Sequence, residues 1–73
     1  MTRDEWLDMF SREIGVQAPS EEDVESLLAL AGVAAHAAER TAAPISCWLA
    51  ALAGRSPSEA LAVARRIAGA AGD

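Results

Sequence analysis

The sequence predicts an all-α fold, a small four-helix bundle, and three observations carry that prediction. Alanine makes up nearly half of the apolar residues, which are 52% of the chain, and alanine is the strongest helix former. Tyrosine is absent and β-branched residues are few, so the side chains that strands prefer are scarce. Start and stop signals also recur along the chain: Thr2, Ser20 and Ser56 at helix starts, Gly15, Gly54 and Gly72 at helix stops. The 73 residues make one domain, residues 1–73. A core of this size typically supplies only about 3–5 kcal/mol net.

Four helices follow in order, at about residues 3–14, 21–40, 44–53 and 57–71. Thr2-Arg3-Asp4-Glu5 reads as a capping box, with Thr2 as N-cap and Glu5 at the third helical position. Trp6, Leu7, Phe10 and Ile14 then fall within an arc of about 100°, and Gly15 suits the left-handed stop. Ser20 caps the second helix, and Glu21, Glu22 and Asp23 fill its positive first turn. Val24, Leu27, Leu28, Ala31, Ala34, Ala35 and Ala38 form its main apolar face, and Leu30, Val33 and Ala37 carry apolar character further round. A helix apolar on most sides is expected at the centre, covered by neighbours. Gly32 lowers helix propensity, which close approach of another helix would explain.

Pro44 is tolerated in the first turn of the third helix and biases Ala43 away from helical geometry. That helix carries Ile45, Trp48, Leu49 and Leu52 on one face and ends at Gly54. Ser56-Pro57-Ser58-Glu59 is a second capping box with proline at the first helical position. Ala60, Leu61, Ala64, Ile67, Ala68 and Ala71 make the stripe of the last helix, which stops at Gly72 and frays near Gly69.

The charge narrows the function classes. A net charge of −5 argues against nucleic acid and against anionic membrane surfaces as partners. The charge is uneven: residues 1–37 hold eight acids and two arginines, residues 38–73 three acids and four arginines. Most of the acids sit in first turns, where the helix dipole favours them. The alternative is a docking surface for a basic partner. One cysteine cannot form an internal disulfide and suits a reducing, cytoplasmic compartment. Asp4, Glu5 and Asp8 interrupt any secretory signal. The uncharged run from Ser26 to Ala38 is too short to span a membrane.

The candidate site is His36-Ala-Ala-Glu39-Arg40-Thr41-Ala-Ala-Pro44. On a continuous helix, His36 and the Arg40 guanidinium lie about 40° apart on one face. Arg40 then offers a bidentate fork to a phosphate or carboxylate, and His36 a second donor. The simpler reading is a half-buried histidine bonded to a carbonyl or to Glu39, with Arg40 capping carbonyls at the helix end. Cys47 lacks a surrounding nucleophile signature and reads as a packing residue. One histidine and one cysteine cannot fill a zinc site, so no metal or cofactor is expected. Trp48 and Trp6 could stack on a purine or pterin, but both lie on apolar stripes and suit the core or a partner helix better. The alanine and glycine face of the second helix suits packing within the bundle, with a homodimer seam as the alternative.

The order Trp6-Leu7, an acidic helix start, the segment from Val33 to Pro44 with its A-H-x-x-E-R-x-x-A-P pattern, then Trp48 to Gly54 resembles a known family. It is similar to a small actinobacterial helical domain of unknown function. That domain occurs alone or fused after molybdenum cofactor guanylyltransferase domains in molybdopterin-guanine dinucleotide biosynthesis proteins. The resemblance spans nearly the whole chain. It implies a cytoplasmic accessory module without catalysis, because the guanylyltransferase's glycine-rich nucleotide loop has no counterpart here. His36, Glu39, Arg40 and Pro44 match the pattern, and His36, Glu39 and Arg40 together with Trp48 form the expected binding set. The expected function is a non-catalytic interaction module of molybdenum cofactor guanylylation. A self-associating bundle, or a phosphate or pterin carrier at His36 and Arg40, are the alternatives.

Overall fold

The computed structural model describes the backbone of residues 1–72 and the side chains of residues 1–70. The described residues form four helices and no strand: α1 (Arg3–Ile14), α2 (Glu21–Ala37), α3 (Ala42–Leu52) and α4 (Pro57–Gly72). Each cap expected at a start forms. The Thr2 hydroxyl accepts from the Glu5 N–H at 3.1 Å, and the Glu5 carboxylate accepts from the Thr2 N–H at 3.4 Å. The Ser20 hydroxyl accepts from the Asp23 N–H at 3.1 Å. Ser56 and Glu59 exchange the same reciprocal pair at 3.2 and 3.0 Å. Gly15 (φ +80°) and Gly54 (φ +72°) take the left-handed backbone after α1 and α3. There Val16 N–H reaches the Ser11 carbonyl and Arg55 N–H the Ala50 carbonyl, so the last carbonyls of both helices find donors. α4 continues through Gly69 to Gly72. The side chain of Ala71 and the chain end at Asp73 lie outside the described residues.

Two helix ends differ from expectation. α2 stops at Ala37, three residues early, where Ala38 turns to φ −123°, ψ −94°. No glycine marks this exit, so the sequence carries no stop signal there. α3 begins at Ala42, and Ala43 is helical although it precedes a proline. Pro44 is then the third helical residue. Ala42 and Ala43 donate to the carbonyls of Glu39 and Arg40 at 2.9 and 3.1 Å, and Pro44 has no N–H to satisfy. The turn therefore resolves the unpaired amides that every helix start leaves.

α2 is the central helix, as its apolar composition predicts: it packs against both α3 and α4, while α3 and α4 barely meet. Its buried face is rotated from the expected one. Leu30, expected at the flank, is the most buried large residue at 3% exposure, whereas Leu28 is more than half exposed. A ring of alanines says little about which side is covered. Gly32 is not explained by a close neighbour, since a Cβ there would meet nothing within 4 Å.

The bundle is lopsided. No α-carbon of α1 comes within 8 Å of another helix. α1 presents Leu7 and the buried Ser11 along one edge. Leu7 faces Ala18, Pro19 and Val24 across a cleft of about 260 Å³. The molecule measures 42 × 25 × 18 Å, with a radius of gyration of 13.0 Å. A compact domain of this length has a radius of about 11 Å. Its accessible surface is 5637 Å², against about 4,300 Å² for a folded monomer of this mass.

Candidate functional site

All four residues of the expected binding set are exposed. His36 occupies the last turn of α2, and Glu39 and Arg40 lie in the turn between α2 and α3. Because α2 ends at Ala37, the helical spacing that set His36 and Arg40 on one face does not exist. No side-chain hydrogen bond or ion pair within the described residues involves His36, Glu39 or Arg40, and neither described cleft includes them. The half-buried, carbonyl-bonded histidine and the carbonyl-capping guanidinium are also not formed. What this segment does structurally is done by backbone: the Glu39 and Arg40 carbonyls accept the first amides of α3.

Trp48 and Trp6 are not core residues. They are 62% and 54% exposed. Trp48 belongs to an outward face of α3. Ile45, Trp48 and Leu52 fall within about 60° of one another on the helix, and all three stand more than half in solvent. Trp6 stacks on Phe10 with ring centroids 5.7 Å apart and planes 21° apart. With Met9 this pair covers the side of α1 away from Leu7 and Ser11. Twelve large apolar side chains of the described residues are exposed, and none is fully buried. Scattered exposed apolar residues are ordinary, but contiguous clusters mark interaction surfaces.

Cys47 is half-buried on the α2 side of α3, with Sγ 4.0 Å from the Leu27 carbonyl. Burial pushes its thiol pKa up, away from the thiolate that nucleophilic chemistry needs. Among the described residues no group of three or more His, Cys, Asp or Glu is placed to hold a metal ion. No helix of the described residues is long and apolar enough to cross a membrane.

A third feature carried no sequence signal. α3 and α4 diverge over α2 and leave an apolar groove of about 450 Å³. Buried Leu30 and Ala60 form its floor, and Leu49, Val63 and Ile67 line its walls. Arg55 and Arg66 stand among its lining residues. Helical periodicity gives each stripe separately. The gap between two stripes depends on a crossing angle that periodicity does not contain.

No curated protein and no solved structure matches the chain. A family model matches residues 1–72, and the chain therefore belongs to the family described as a domain of unknown function (DUF6457).

Proposed function

We propose that this chain is a non-catalytic interaction module that docks on an enzyme of molybdenum cofactor guanylylation through the outer face of α3. The observation that carries the docking role is the contiguous exposure of Ile45, Trp48 and Leu52, the last at 67%. A tryptophan flanked by two aliphatic side chains on a rigid helix is the composition of a binding hot spot. Leaving such a cluster in water costs free energy that a partner's apolar surface removes. His36, Glu39 and Arg40 directly precede this helix and supply a polar rim, the usual surround of an apolar interface centre. The partner class rests on the resemblance of the segment from Val33 to Gly54 to domains that follow guanylyltransferase domains.

The test is an amide NMR titration of the labelled chain with the guanylyltransferase of the same organism, with and without GTP. The expected result is shifts confined to the 38–41 turn and α3 only when the enzyme is present. Trp48→Ala should weaken that binding by about thirtyfold and leave far-UV helicity unchanged. Shifts with GTP alone would move the reading to a nucleotide site. Their absence with both would remove the proposed partner.

A further inference from the structure

We propose that two copies of this chain associate by reciprocal exchange of α1: the Trp6–Met9–Phe10 face of each copy seats in the α3–α4 groove of the other. This is separate from the docking face on α3. On the helix, the groove-lining Leu49 lies about 100° from Trp48, so the two surfaces adjoin without being the same.

Four observations converge on a second copy as the occupant. The first is shape. The groove runs between α3 and α4 over Leu30, and α3 is 11 residues long. α1 is 12 residues, about 18 Å at the helical rise, long enough to span the groove-lining stretch from Ser46 to Ala53. An amphipathic helix laid in an apolar groove is a recurrent mode of recognition.

The second is availability. α1 holds its backbone clear of every other helix. Leu7 faces the start of its own α2 and Ser11 is buried on the same edge, while Trp6, Met9 and Phe10 project away, about half exposed each. Seating α1 in its own groove would require undoing the Leu7–Ser11 edge. Seating it in another copy's groove leaves that edge intact.

The third is charge. On the helical wheel Glu13 lies within the Trp6–Met9–Phe10 face and Glu5 beside it, with Arg3 and Arg12 at its edges, and the four acids of α1 against its two arginines leave the helix net acidic. The groove carries Arg55 and Arg66, and no carboxylate is among its lining residues. Opposite charges at the edge of an apolar contact set its register. The uneven charge between the two halves of the chain becomes complementary in the exchanged pair.

The fourth is area. The chain exposes about 1,300 Å² more than a folded monomer of its mass should. Obligate dimers bury at least about 1,000 Å² on each protomer. A reciprocal exchange also closes on itself with two-fold symmetry, so it yields a dimer rather than a filament.

The experiment is sedimentation equilibrium of the full chain, with two exposed-site variants and their mixture. At about 100 μM the wild type should run at twice 7.6 kDa. Trp6→Ala/Phe10→Ala breaks the seat on α1, and Ile67→Glu repels the acidic helix from the groove. Ile67 is 61% exposed, so folding survives the second change, and far-UV circular dichroism checks both. Each variant alone should raise the dissociation constant by about thirtyfold or more. Mixed together they should form a hetero-dimer, because one intact α1 then meets one intact groove. A dimer built on any other face gains nothing from mixing. A wild-type monomer at that concentration overturns the exchange, as does a dimer that neither variant weakens or two variants that do not complement.

Discussion

Gly32 shows what one residue can report about its surroundings. It sits in the middle of α2 with ordinary helical backbone, and a Cβ added there meets nothing within 4 Å. Gly32→Ala should therefore raise stability by about 1 kcal/mol, read as a higher urea midpoint at unchanged slope. A loss of stability would instead place another helix against this position. The sequence suggests close approach at Gly32, and the structure leaves it open. The reason is that glycine marks lost propensity without saying what, if anything, compensates. The same limit applies to His36 and Arg40. Their pairing was legible only on the assumption of an unbroken helix to Arg40, and α2 ends at Ala37. Trp6 and Trp48 were legible as apolar anchors. What they anchor depends on a surface outside the chain, and periodicity cannot separate an inward stripe from an outward one.

Single helices were the most legible level, because their ends are decided by contacts within four residues. The two capping boxes and the Ser20 cap form as the spacing implies, and Gly15 and Gly54 both adopt the left-handed stop. The unmarked exit at Ala38 was missed for the same reason: nothing local specifies it. The start of α4 has a measurable acid signature. Hydrogen bonds from Ser56, chiefly its backbone N–H, hold the Glu59 carboxyl below its usual range, with a smaller attraction from Arg55. Folding thus favours the charged form. This contribution is complete above the unfolded value of about 4.3 and is lost as the pH falls through the lower folded value. The Ser56 amide resonance should follow that acid step, and Glu59→Gln should abolish it. A Ser56 amide that stays fixed between about pH 6 and pH 3 would show that the box does not depend on the charge.

Helix number and order were legible for the whole molecule, but the way the helices share their apolar faces was not. Four stripes satisfied within one chain would bury the large side chains, yet among the described residues Leu30 and Ala60 are the buried apolar ones. The remaining stripes point outward because α1 stands off and α3 and α4 diverge over α2. If the second copy covers them, association adds to the stability of the folded chain, and that stability depends on concentration. A tenfold rise in protein concentration then adds about 1.4 kcal/mol per dimer to the folded side. Divided by the unfolding entropy of two chains of this length, it raises the melting temperature by about 5 °C. Circular dichroism melts of the wild type across a hundredfold concentration range should show that slope twice over. Trp6→Ala/Phe10→Ala should melt lower, and at one temperature throughout the range. A wild type that also melts at a constant temperature would mean that three helices around Leu30 hold the fold without help. The exposed faces of α1 and of the groove would then be available to a different protein.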